Sequence, residues 1–384
     1  MQRRKFLRIA GSSAVILAAG ATGWGVTRTP TRALAPWDAA GGADYSDPRV
    51  RALSYAILAP NPHNRQPWMV DLSVSGEATL HCDLNRLLPA TDPFSRQIVI
   101  GLGCFLELLR QAAAQEGLRA EVTPFPEGED PAALDLRPIA HIRFAQDQSI
   151  VPDPLFAQVV HRRSNKEVYD TGRQVAPVAL TALATSAGAN VRAGWTNDAA
   201  RVAAFRELTF DALKIEMYTD YTMQESIDLM RIGKQEINET PDGLAFGGPM
   251  FDTLHLFGLM TREALGDENS IGFQQGIEIW DGLMMSAMAH YWIITPGNSR
   301  LDQLNAGRAW VRTNLKATEI GLGIHPLSQA LQEYPEMDEP FAEMRRQVGA
   351  GPNETLQMFG RVGYGPAAAR TPRWPVETRL QGLS

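Results

Sequence analysis

Apolar positions Leu53, Ala56, Ile57 and Leu58 share one helical face and predict a helix over 49–59. Met69 to Gly76 and Ala78 to Leu84 then alternate apolar and polar residues with glycine between them, the pattern of a two-stranded hairpin. Ile100 to Leu118 is amphipathic with period 3.6 and is closed by Gly117, a helix with its stop signal. Strands follow at Glu121 to Gly128 and Pro138 to Phe144.

Further along, the pattern predicts a helix at 177–187, a strand near 190–195 and two long helices between Asn197 and Gln235. The stretch 236–275 is apolar but punctuated by glycine and proline. Residues 277–294 are almost continuously apolar and read as a helix, with Met284, Met285 and Met288 as core filler. A last long helix runs from Asn305 to Leu322, and GRVGYGP near 360–366 reads as a strand leaving into a turn. Interleaved helices and strands place the chain in the α+β or α/β class. One echo stands out. The helix beginning near Gly101 and ending at Glu116-Gly117-Leu118 parallels the one beginning near Gly307 and ending at Ile320-Gly321-Leu322. Each has Leu eight residues after its first glycine (Leu109 and Leu315), and the two differ by two residues in length.

Composition narrows the class. The chain has 384 residues, 44% of them hydrophobic and 21% charged, as in folded globular proteins. A net charge of −7 disfavours nucleic acid as a partner. Cys82 and Cys104 are too few for a disulfide framework or a zinc site and read as buried hydrophobes. At the N-terminus, Arg3 and Arg4 precede Phe6 and Leu7, then an uncharged stretch over 9–27, then RALA ending at Ala35. That order resembles a twin-arginine export signal over 1–35. It implies the export machinery as a partner and a periplasmic destination, the alternative being an uncleaved membrane anchor. Residues 36–48 read as a Gly/Pro/Asp-rich linker.

Several familiar sites are missing. The G-x-G of IVIGLGCFLEL has Leu106 where a dinucleotide fingerprint needs its third glycine. The chain has no H-E-x-x-H, G-x-S-x-G or phosphate loop, and no histidines pair at ligand spacing. Two segments offer chemistry instead. HRRSNKEVYD, from His161 to Asp170, gathers Arg162, Arg163 and Lys166 around Ser164 and Asn165, a set suited to phosphate oxygens or to a solvated basic loop. APNPHNRQPW, from Ala59 to Trp68, holds Asn61, His63, Asn64 and Gln66 on a frame stiffened by three prolines. Such a frame suits a flat heteroaromatic ring.

The proline segment resembles the P-S-x-x-N-x-Q-P-W loop of the flavin-dependent nitroreductases, and HRRSNK resembles their R-x-S-x-K/R phosphate segment. Their order here is inverted, the proline loop preceding the basic segment by about a hundred residues. The inversion is similar to the Acg-type branch, in which two nitroreductase halves are fused and mimic the family homodimer. The resemblance implies an α+β, α-β-α layered fold. Its first half, 49–148, would carry the proline loop. Its second, 150–380, would carry the phosphate grip and a lid-like insertion at about 200–300. It implies FMN as cofactor and a ping-pong oxidoreductase with a small-molecule electron donor and acceptor, as monomer or homodimer. The alternative is a protein that sequesters FMN under a lid without turnover. By the same resemblance Arg162, Ser164 and Lys166 would meet the phosphate and ribityl chain. Pro60, Asn61 and Asn64 would meet the ring. Arg373 and Arg370 in ARTPRWP match the late basic segment, and Ile324, His325 and Pro326 in GLGIHPLSQ match the turn beside the flavin. No catalytic side chain and no metal is implied, because the flavin carries the chemistry.

Overall fold

The computed structural model describes residues 28–382. The paired arginines and the apolar stretch of the export-signal reading lie outside the described residues. The first described elements are helical turns at Thr31–Leu34 and Pro36–Ala39. The stretch 36–48 was expected as a linker, but Trp37 is buried and donates from Nε1 to the Thr371 carbonyl at 2.7 Å.

Two mainly antiparallel sheets carry the molecule. Helix α1 (Pro48–Ala56), capped by the Asp47 carboxylate on the Arg49 N–H, leads into the proline loop. After it come β1 (Trp68–Asp71), β2 (Glu77–Cys82), helix α2 (Arg96–Gln115), β3 (Leu118–Pro124) and β4 (Ala140–Gln146). The second half supplies β5 (Arg192–Thr196), β8 (Ala289–Thr295), helix α5 (Arg300–Glu319), β9 (Gly323–Pro326) and β10 (Thr355–Gly363). Between β5 and β8 lies an insertion. It holds helix α3 (Ala199–Tyr218), the parallel pair β6 (Met230–Ile232) and β7 (Leu244–Phe246), and helix α4 (Ile271–Met285).

The first sheet has the order β11-β1-β2-β4-β3, the second β5-β8-β10-β9. Set β11 (Leu380–Gln381) aside and the two sheets match strand for strand, with every pairing antiparallel. Each places its long helix between the second and third strands in sequence. The chain is α+β, built from two topologically equivalent halves.

The helices α2 and α5 meet at their glycines. A β-carbon on Gly103 would run into the Leu304 carbonyl, and one on Gly307 into the Ile100 carbonyl. Only glycine permits so close a crossing. The Cys104 thiol donates to the Gly307 carbonyl at 3.1 Å in the same joint, and both cysteines are free and buried. The echo seen in the sequence is therefore real but in a different register. Both helices are twenty residues long, with Arg96, Gly103, Gly117 and Leu118 matching Arg300, Gly307, Gly321 and Leu322 at one constant offset. Gly117 and Gly321 both take left-handed φ, 68° and 72°, just past the helix end.

One sequence expectation fails. Of the apolar run 277–294, the last six residues belong to β8, the buried second strand of the second sheet. Ala289, Tyr291 and Ile293 pack into the main core, while Trp292 and Ile294 face the core shared with α3 and α4. A strand covered on both faces loses its alternation and reads as helix. In the first sheet the second face is more open, so β2 alternates and was legible.

Candidate functional site

The proline loop is strained where it matters. His63, Asn64 and Gln66 have φ of 45°, 53° and 51°, three left-handed non-glycine residues within four positions. Internal hydrogen bonds and the rest of the molecule hold them there. Asn61 Oδ1 accepts from the Gln66 N–H at 2.7 Å, and Asn61 Nδ2 donates to the Ala59 carbonyl. Gln66, fully buried, donates from Nε2 to the Pro241 carbonyl at 2.6 Å and accepts at Oε1 from the Trp374 N–H. Asn64 donates to the Pro372 carbonyl and accepts from Arg373. The amides of Asn61, Asn64 and Gln66 thus clamp the loop, the insertion and the C-terminal tail together. Of the polar side chains expected to face a ring, His63 keeps a buried Nδ1 without a partner. Burial, then the charges of Lys166 and Arg65, push its pKa down to about 4.

The basic segment lies against this loop. Arg162 is buried and donates from one Nη to the Leu58 carbonyl at 3.2 Å. Its Nε and other Nη are buried without partners. Burial, then the neighbouring Arg163, lowers its pKa to about 10. A buried guanidinium with open donors beside a second cation is a costly arrangement that an anion would relieve. Arg163 donates to the Val160 and Arg162 carbonyls and stacks over Trp37, 4.3 Å from the ring centroid. Ser164 is half-buried. Lys166 keeps accessible surface, yet the protein around it depresses its pKa through burial. Its charge acts on His63 and on His325, so the two sequence segments and the β9 turn converge there.

Arg373 sits in the same cluster with a different task. Its Nε donates to the Ile57 carbonyl, one Nη to Asn64 Oδ1 and the Pro372 carbonyl, and the other to the Leu58 and Ala59 carbonyls. All five N–H donors are engaged, so it adds charge to the site and holds the tail on the proline loop. Burial, then Arg162 and Arg163, drives its pKa well down. Arg370 lies outward and pairs with Asp38 at 2.6 Å. Pro60 is half-buried in the loop.

Ile324 is buried in β9, and its carbonyl accepts from the Asn165 N–H at 2.9 Å, which lays the basic segment along that strand. Pro326 pairs with Gly360 across β9 and β10. His325 accepts at Nδ1 from Arg361 Nε at 3.0 Å and stacks under Trp280 of the insertion. Burial, then Arg361 and Lys166, keeps the ring neutral. Arg361 was not singled out in the sequence. Fully buried, it bonds the Leu283 and Glu167 carbonyls and the Ser286 hydroxyl, and lies over Tyr169 at 4.1 Å. An arginine in the apolar and glycine stretch Met358–Gly363 of β10 was its only signal. Trp37, in the stretch read as a linker, was missed likewise.

The insertion closes over the loop. Asp242 is buried and accepts from Arg65 at 3.0 Å and Arg231 at 3.1 Å, and pairs also with Arg86. One carboxylate thereby ties the proline loop, the segment after β2 and the insertion at a single point.

No family model matches the chain. It is similar to the Mycobacterium tuberculosis H37Rv protein named "Uncharacterized protein Rv3127", 38% identical over 101 residues, 25% of this chain and 29% of that one. The chain thus matches less than a third of the length of that relative. A second protein of the same organism, named "Putative NAD(P)H nitroreductase Rv3131", is 26% identical over 359 residues, 86% of this chain and 92% of that one. Among solved structures, the FMN-dependent nitroreductase NfnB from Mycobacterium smegmatis in complex with NADPH overlaps 58% of this chain and 96% of its own. Its identity is 18% and its TM-score 0.37.

Proposed function

We propose that the protein binds FMN and works as a nitroreductase-type oxidoreductase of the fused, Acg-like kind. The observation that carries the reading is Arg162, buried, with two unpartnered donor groups, beside Arg163 and Arg373 and next to the proline loop. A phosphate monoester supplies the charge and acceptor oxygens that this cluster lacks. Arg162 and Ser164 would hold the phosphate end, with Arg163 and Arg373 adding charge. Lys166, whose charge acts on both His63 and His325, would with them meet the ring. The name carried by the relative aligned over most of the chain agrees with this reading. When bound, FMN supplies a ring that takes up a hydride and releases the electrons to an acceptor. The chain's own residues would position it: Arg361 fixes His325 with Nδ1 as acceptor, which leaves the proton on Nε2.

A second reading rests on the clamp. Pro241, accepting from Gln66, and Asp242, accepting from Arg65, seat the insertion on the proline loop and favour a covered flavin held without turnover. One experiment separates the readings. The full chain is purified, its visible spectrum recorded and the released ligand identified, then reduced chemically and mixed with nitroaromatic and quinone acceptors. Bound FMN with rapid reoxidation supports the enzyme. Bound FMN that no acceptor reoxidises supports sequestration, and a colourless chain that refuses FMN overturns both.

A further inference from the structure

The insertion exposes large apolar side chains together. Met250, Leu256 and Phe257 are 60%, 72% and 73% exposed, on and just after the helix Pro249–Leu256. Met250 and Phe257 stand one heptad apart, and Leu256 adjoins Phe257 at the helix's C-terminal end. The insertion also exposes Ile271 and Ile279. Large apolar side chains exposed together on one short helix in this way point to an interaction site.

The described chain enters beside this helix. Arg28 lies 3.8 Å from Asp252, on the side of Pro249–Leu256 turned toward the protein. Before Arg28 come nineteen residues, 9–27, without a charge. An uncharged run of that length is within the range that spans a bilayer's hydrocarbon core. Trp24 stands near their end, and Arg28 and exposed Arg32 follow at headgroup distance. Four cations, Arg3, Arg4, Lys5 and Arg8, precede the stretch and favour leaving that end in the cytoplasm.

The site at which an export signal would be cut is folded into the protein. Ala33 is 1% exposed, its N–H donates to Asn238 Oδ1 at 3.0 Å, and its carbonyl accepts from the Arg373 N–H at 2.8 Å. Cleavage after Ala35 would strip the contact that Ala33 makes with Arg373 and would need Thr31–Leu34 unwound.

We infer that the chain keeps residues 9–27 as a membrane anchor and seats Met250, Leu256 and Phe257 on the outer surface of the same bilayer. The apolar face is covered by lipid, at the point where the anchor leaves it.

The full chain is produced in an export-competent bacterium, and carbonate-washed membranes are analysed by intact mass. The expected result is a membrane-bound chain retaining the residues before Pro36. Full-length Leu256→Cys, Phe257→Cys and, as a distant control, Val178→Cys variants are then spin-labelled and placed in phosphatidylethanolamine–phosphatidylglycerol vesicles. Far-UV dichroism matching the parent chain qualifies each as folded. Labels at 256 and 257 should show oxygen accessibility several-fold above the label at 178, which stays in water. A soluble chain beginning at Pro36 overturns the anchor. Labels at 256 and 257 that match the 178 control overturn the seating. Labels shielded from both oxygen and water, with a doubled mass in detergent, overturn it in favour of a second copy of the chain.

Discussion

The sheet β1-β2-β4-β3 and the sheet β5-β8-β10-β9 are one topology built twice, and their differences are instructive. The first has a tight turn between its opening strands, the second a whole insertion at the same place. The first keeps the proline loop before β1. The second keeps the basic segment before β5. What the halves share is the scaffold, above all the α2–α5 joint. What they divide is the polar equipment, so neither half alone brings the basic segment against the proline loop. Equivalence in backbone thus coexists with complementarity in side chains.

The comparison can be broken most severely at the joint. Gly307→Ala places a methyl against the Ile100 carbonyl, and Gly103→Ala does the same against Leu304. Each should destabilise by about 3 kcal/mol or more, because backbone cannot yield as a side chain does. Urea denaturation should give similar losses for the two, and a mild effect at either would mean that the halves are not equivalent there.

Arg162→Ala should separate the halves functionally. Removing two open charged donors should weaken FMN at least about tenfold. Arg110→Ala, in a first-half ion pair with Glu107, should leave the flavin in place. Fluorescence titration of the stripped chain measures both.

Glu216, in α3 of the insertion, has no first-half counterpart. Burial raises its pKa to about 7, against hydrogen bonds from Gln332 and Gln329. Folding therefore favours the protonated acid. Stability from this group is full below about pH 4.5, falls as pH rises toward 7, and is lost above. Glu216→Gln should be neutral at pH 4 and stabilising by about 1–3 kcal/mol at pH 8. Equal effects at the two pH values would rule the buried acid out. The smallest test is the most symmetrical. Gly117→Ala and Gly321→Ala meet open space but demand left-handed φ, and should each cost about 1 kcal/mol.

The sequence showed what repeats locally. The first-sheet hairpin was legible from alternation, the helix stops from Gly117 and Gly321, and the basic and proline segments from composition. Long-range decisions were not. That Asn64 and Gln66 would be consumed as clamps depends on Pro241 and Arg373, far along the chain. The double burial of β8 depends on the insertion that covers its outer face. Arg373 looked like a ligand contact because its residue type and place fit one; only its neighbours show that its donors are already taken.

The tail has a mechanical meaning. After Arg373, the chain from the second half lays β11 parallel to β1 of the first. The molecule is a loop with a clasp, and the connection near 148–152, exposed at Gln148, Ser149, Val151 and Pro152, is not what keeps the halves together. A protease nick there should leave two fragments that travel as one through gel filtration and part only in denaturant. The covalent link between the halves could be cut at that point, and the clasp would still hold the pair in register.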